Sequence, residues 1–186
     1  MPILGMLVAG FLAGALRAAP RPAVAIAEAA ASQIGVTTVY DPGYASLRYP
    51  NGDVPLERGV CADVVVRAFR AIGVDLQREI HEDMRRNFRA YPRLWGLSAP
   101  DTNIDHRRVP NLMTFFTRRG RKVAGAFEPG DVVAWRLPGG LYHIGIVAAG
   151  LVPGTTRHYA IHNIGRGTQM EDVLNEFEVI GHYRWE

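Results

Sequence analysis

A change of hydrophobic period near Pro129-Gly130 constrains the fold more than any other feature of the chain. Before it, apolar residues recur at helical spacing. From Cys61 they fall at Cys61, Val64, Val65, Ala68 and Ile72, which predicts a helix with one buried stripe, closed by Gly73. Asp75 is placed to cap a second helix with Leu76, Ile80, Met84 and Phe88 on its apolar face. Pro110 suits the first turn of a third, which carries Leu112, Phe115 and Phe116 and stops at Gly120. Residues 24–34 read as a further helix ended by Gly35, and residues 40–59 as an ordered loop rich in turn signals. After Pro129-Gly130 the period becomes two. Asp131–Trp135, His143–Ala148, Tyr159–His162 and Val179–Trp185 predict about four short strands. Helices first and an antiparallel sheet last make an α+β domain, with the sheet laid against the helix that Cys61 begins.

The length of 186 residues suits one domain, and 48% hydrophobic against 21% charged residues supports a packed core. The formal charge of +3 does not point to nucleic acid. Arg17 and Arg21 fall in residues 1–25, which hold no acid, and without them 19 basic residues face 18 acidic ones. The apolar run Ile3–Leu16 precedes Ala23-Val24-Ala25, a small-x-small site for signal peptidase. At about 14 residues the run is short for a bilayer span and suits a signal-peptide core, although no basic residue precedes it. The expectation is a leader over 1–25, a mature domain over 26–186, and a periplasmic or secreted product with no membrane span once the leader is removed.

The chain has one cysteine, so no disulfide forms within the molecule and a Cys-based metal site is disfavoured. In an exported protein an unpaired thiol is a liability, retained either buried and inert or for its chemistry. Position 61 lies on the apolar stripe, which suits burial, but it also opens a helix. There a thiolate would face unpaired backbone N–H groups and the positive end of the helix dipole, which lower its pKa and can hold an oxyanion. Gly59 would give the backbone freedom just before it.

His143 opens the strand His143-Ile144-Gly145-Ile146-Val147, and Gly145, on the same face, would leave room for a group to approach the imidazole. His162 ends the next strand and is placed to orient the His143 ring; Asn163 is its rival for that role.

The order Cys61 at a helix start, Pro129-Gly130-Asp131-Val132-Val133, His143-Ile144-Gly145-Ile146-Val147 and Ile161-His162 resembles the NlpC-type, papain-like cell-wall endopeptidases. The resemblance implies that Cys61 is the nucleophile, His143 its base and His162 the ring-orienting residue, with no cofactor. A closer match rests on Tyr40-Asp41-Pro42, Gly52-Asp53-Val54-Pro55, His81-Glu82-Asp83-Met84, the run Asn103–Leu112, and Gly181-His182-Tyr183-Arg184-Trp185. These look like the bacterial family called domain of unknown function 1287, placed in the same superfamily. Two departures from the NlpC-type pattern stand out: Val60 where an aspartate is common, and a long insertion-like stretch over 74–127.

That stretch supplies Glu82, Asp83, Asp105, Arg107 and Arg108, either as partners for the charged ends of a peptide or as an internal salt-bridge network. The six histidines include no His-Glu-x-x-His helix, so no metal is expected. The basic run Arg118–Lys122 reads as a solvated helix end. The function expected is hydrolysis of an amide, in peptidoglycan stem peptides or another peptide substrate. A non-catalytic wall-binding module, and a transpeptidase or acyltransferase using the same Cys-His pair, stand as alternatives. Oligomeric state is left open.

Overall fold

The computed structural model describes residues 22–186. The expected leader core, Ile3–Leu16, lies outside the described residues. Helix α1 (Pro22–Ala31) begins before the expected cleavage point, but its buried residues, Ile26, Ala27 and Ala30, all follow that point. None of the described helices is long and apolar enough to cross a membrane.

Four helices and a five-stranded antiparallel sheet make up the domain. Helix α2 (Cys61–Ala71) forms despite the β-branched run Val64-Val65-Val66, because tertiary packing overrides local propensity. Eight residues of that helix besides Cys61 are buried, so it is enclosed by its neighbours and not merely laid on one. Its first turn is held by Asp63, whose carboxylate accepts the Val60 N–H at 2.7 Å. Helix α3 (Leu76–Asn87) is capped by Asp75, which accepts the Gln77 and Arg78 N–H groups. Helix α4 (Val109–Arg118) has Pro110 in its first turn.

Strands β3 (Val132–Arg136), β4 (Tyr142–Leu151), β5 (His158–Asn163), β6 (Thr168–Glu171) and β7 (Glu178–Tyr183) run in the spatial order β6-β5-β4-β3-β7. One face, with Ala134, Ile144, Ile146 and Ile161, packs on α1, α2 and α4 through Phe69, Leu112 and Phe116. The other face, with Val133, Trp135, Val147 and Ala160, is covered by Leu174 and Phe177 from the segment between β6 and β7. Burial on both faces leaves no polar side for β4 at its centre, although its period of two remains.

Three elements differ from the sequence-based expectation. Strand β6 is an edge strand, Thr-Gln-Met-Glu, whose pairing comes from backbone hydrogen bonds to β5 and not from an apolar stripe. Residues 40–59, read as loop, contain all but Val39 of a two-stranded parallel pair, β1 (Val39–Tyr40) with β2 (Arg58–Gly59). At two residues each, these strands are too short to show a period. Buried Arg67 of α2 holds this region from below, donating to Asp53, to Thr37 Oγ1 and to the Arg58 carbonyl.

Acid sensitivity follows from a buried imidazole. His106 sits behind the first turn of α4 with Nδ1 unpartnered among the described residues, and burial pushes its pKa from 6.5 down to about 4. Between those values the unfolded chain binds a proton that the folded protein refuses. The stabilisation is complete above pH 6.5 and is lost as pH falls toward 4, an effect of about 3 kcal/mol. Urea unfolding at pH 7 and pH 4.5 should show a steeper acid loss for wild type than for His106→Gln; equal losses would rule this histidine out.

Candidate active site

Cys61 is the first residue of α2, where the helix end meets the start of β4. Its side chain forms part of the wall of a cleft of about 270 Å³, with Tyr40, Trp95, Arg108, Pro110 and Tyr142 also on the wall. The sulfur faces the N–H groups of Ile144, Ala62 and Cys61 itself. Those dipoles pull the thiol pKa down as the helix-start position predicts, but burial opposes them and wins. With Asp63 adding like-charge repulsion, the pKa is pushed up to about 12. The expectation of a lowered pKa is therefore corrected for the resting protein: at neutral pH Cys61 is a thiol.

His143 is buried and lies against the Trp135 indole, with ring centroids 5.7 Å apart. Its Nε2 lies 2.7 Å from Nδ1 of His162 on the neighbouring strand. Burial, and then the second imidazole, push its pKa down to about 3. Its Nδ1 has no hydrogen-bond partner among the described residues, and no hydrogen bond joins the ring to the thiol. The Ile144 N–H that faces Cys61 belongs to the residue after His143, which puts the thiol beside the strand that carries the imidazole. A resting thiolate–imidazolium pair is thus absent, and both groups are neutral.

Between the two candidates for third residue, the geometry is asymmetric. His162 touches the His143 ring. Asn163 points elsewhere: its amide donates to the Gly59 carbonyl at 3.0 Å and its oxygen accepts the Gly165 N–H. It ties β5 to the segment entering α2. Two glycine roles also differ from expectation. A Cβ on Gly59 would lie 3.0 Å from the Asp63 carboxylate and 3.4 Å from the Arg67 guanidinium, so closeness, and not freedom, requires glycine there. The space beside Gly145 is occupied: a Cβ would meet the Ile161 carbonyl at 2.8 Å and the His162 side chain at 3.0 Å.

Of the five charged residues expected to bind substrate, three do not border the cleft. Glu82 lies on the outer surface beside Arg86. Asp83 takes Arg118, Tyr91 and Asn87. Asp105 is buried, bonded to Arg108 and to the Asp101 N–H. Arg107 borders the cleft but is locked: Nε and one terminal nitrogen grip both oxygens of Asp63 at 2.9 and 3.0 Å, and the Gly43 and Asp41 carbonyls take further N–H groups. For these residues the structure has the salt-bridge arrangement. Arg108 remains, its guanidinium 4.1 Å over the Trp95 ring on the cleft wall.

The sequence reading missed Tyr40, Tyr142 and Glu171. Tyr142 directly precedes His143 and could have been found as the exposed residue on the opposite side of the strand. Tyr40 is brought in by the β1–β2 pair, which had no readable signal. Glu171 Oε2 lies 3.1 Å from His162 Nε2, a carboxylate–imidazole contact outside hydrogen-bond geometry. Over Pro110 and Tyr142 the cleft continues into a second hollow of about 450 Å³, walled by Met113, Thr114 and Lys122. Among the described residues no group of three or more His, Cys, Asp or Glu side chains is placed to hold a metal ion.

Two outcomes follow. At pH 7, iodoacetamide should alkylate Cys61 of the folded protein more slowly than it alkylates free cysteine, with urea restoring the ordinary rate. Faster alkylation in the folded state would mean an activated thiolate. Arg107→Ala should lower stability in urea by about 3–5 kcal/mol by stranding buried Asp63. A fully stable variant would leave Arg107 available for substrate.

A family described as Domain of unknown function (DUF1287) matches residues 27–185. The chain is 53% identical over 167 residues to a protein of Escherichia coli (strain K12) described as "Uncharacterized protein YijF", covering 87% of this chain and 81% of that one. No solved structure matches the chain. With the match running from helix α1 through the last strand, the chain belongs to the family of domain of unknown function 1287.

Proposed function

We propose that this protein is an exported cysteine hydrolase of papain-like, NlpC-type architecture that cleaves an amide bond in peptidoglycan stem peptides. The observation that carries the reading is the convergence at the α2–β4 junction. A thiol at a helix start, three backbone N–H groups directed at it and a paired-imidazole strand meet beside an open cleft. The four-helix, antiparallel-sheet layout and the chain order Cys, His, His support the same superfamily.

In this reading the substrate carbonyl enters over Cys61. The thiol swings from its resting place to His143 Nδ1, which takes its proton as sulfur attacks the carbonyl carbon. The N–H groups at the start of α2 hold the oxyanion. His143 returns the proton to the departing amine, leaving a thioester on Cys61. Water, deprotonated by the same nitrogen, then attacks the thioester, releases the carboxylate and restores the thiol. Binding energy from the cleft has to supply the activation, since the resting site keeps its proton on sulfur. Arg108, stacked on Trp95, supplies a cation for a stem-peptide carboxylate.

The buried, protonated thiol favours a second reading, a wall-binding module without turnover. One experiment separates them. Purified protein is incubated with peptidoglycan sacculi, and released fragments are identified by mass. Under the hydrolase reading wild type releases peptide fragments and Cys61→Ala releases none. His162→Ala should lower kcat about 10²-fold by removing support for the general base. Sacculi bound equally by wild type and Cys61→Ala, with no release by either, would establish the module.

A further inference from the structure

The hydrolase reading needs one condition that neither Cys61 nor His143 can enforce. His143 Nδ1, the ring nitrogen with no partner among the described residues, must carry a lone pair and not a proton, or it cannot accept the thiol proton. A neutral imidazole has one N–H, so this requires the His143 proton to sit on Nε2. That nitrogen faces His162 Nδ1 at 2.7 Å, and a hydrogen bond of that length holds a single proton between the two nitrogens. Either His143 donates from Nε2, leaving Nδ1 basic, or His162 donates from Nδ1, leaving His143 protonated at Nδ1 and useless as a base. Both arrangements satisfy the His143–His162 contact equally. The choice has to be made on the far side of His162.

Glu171 stands there. Its Oε2 lies 3.1 Å from His162 Nε2, and its Oε1 accepts from Arg166 at 2.7 Å. His162 is fully buried, and the ionisable groups around it are few: His143 from β4, Glu171 from β6 and Arg166 from the turn between β5 and β6, with the neutral Trp135 ring from β3 at 6.3 Å. A carboxylate attracts an N–H dipole and repels a nitrogen lone pair, and the contact is strong because the imidazole side is dry. The carboxylate therefore keeps the His162 proton on Nε2. Nδ1 of His162 is left as an acceptor, His143 donates to it from Nε2, and the lone pair of His143 is driven to Nδ1. Register makes this possible, since β5 and β6 pair His162 with Gln169 and Ala160 with Glu171, bringing the edge-strand glutamate across to the histidine.

We propose that Glu171 is a positioning residue that sets the tautomer of His143 through His162, with Arg166 holding the carboxylate in place. The proposal deepens the hydrolase reading and rests on it for its catalytic meaning, but the tautomer itself can be measured without turnover. In serine proteases the carboxylate bonded directly to the base is worth about 10⁴ in kcat through the same device. Here an imidazole intervenes, and the contact to it lies outside hydrogen-bond geometry, so the effect is smaller.

The test uses the full chain labelled with ¹⁵N-histidine at pH 8, where the imidazoles are neutral, with resonances assigned through His143→Gln and His162→Gln. The expected spectrum places the protons of both rings on Nε2. Glu171→Gln should move His143 toward the Nδ1-protonated form and lower the rate of fragment release from sacculi about tenfold or more. Glu171→Asp, which keeps the charge, should retain the wild-type tautomer. Glu171 is partly exposed on an edge strand, so these variants should fold; Arg166→Ala, on the exposed turn, gives a smaller shift of the same sign. A wild-type His143 protonated at Nδ1, or tautomers unchanged by Glu171→Gln, would overturn the proposal. The expected tautomers in a wild-type protein that releases nothing from sacculi would sink the hydrolase reading instead and leave the tautomer relay standing.

Discussion

The buried pair between Asp63 and Arg107 fixes the geometry on which the cleft depends. Asp63 sits in the third position of α2, and one of its oxygens closes the helix start by taking the Val60 N–H. Both oxygens take Arg107, which reaches on to the Gly43 and Asp41 carbonyls. One carboxylate thus locates the first turn of the Cys61 helix, the loop that carries Tyr40 and Pro42, and the segment that leads into α4. These are three walls of the same cleft. A charge this deeply buried is strongly destabilising if left alone, so neither partner is dispensable once the other is present. The pair also acts on the chemistry, since the negative charge of Asp63 adds to burial in keeping the proton on Cys61.

The ionisation of the site is decided by solvation more than by dipoles. A helix start lowers a thiol pKa through partial charges, an effect that falls off within the first turn. Closing the sheet and helices over Cys61 and His143 removes the water that would solvate either ion. The penalty acts on both groups in opposite directions, raising the thiol and lowering the imidazole, and no direct contact between them offsets it. The resting site is consequently a pair of neutral groups with no hydrogen bond between them, in a position to exchange a proton only when something rearranges them. That arrangement limits oxidation of the lone thiol.

Polar residues in the helical region serve the frame more than the cleft. Asp83, Asp105 and Arg107 all have fixed protein partners, and Asn163 holds the strand that leads into α2. Arg108 differs in part: one terminal nitrogen is held by Asp105 at 3.2 Å, but its guanidinium lies over an aromatic ring at the cleft wall, where stacking leaves its other edge donors available. Charge clusters in the sequence are therefore a poor guide to which ions face a ligand. The same composition builds a salt bridge or a binding site according to what lies opposite.

Periodicity and punctuation alone determined the order of the four helices and of strands β3, β4, β5 and β7, the helix that Cys61 opens, the caps at Asp75 and Pro110, and the alternation through His143–Ala148. Those features are local: helix stripes, caps and strand alternation arise between residues a few positions apart, so a linear reading captures them. The adjacency of the 143 and 162 positions was also legible, because neighbouring antiparallel strands place their ends side by side. Only the tertiary structure decided that strand β6 adds Glu171 behind His162, that the β1–β2 pair brings Tyr40 to the cleft, and that Arg107 belongs to Asp63. It also decided that Cys61 rests as a thiol. Each of these depends on which distant groups meet and how much water they exclude, and solvation of a buried site is a property of the closed fold that no stretch of sequence carries by itself.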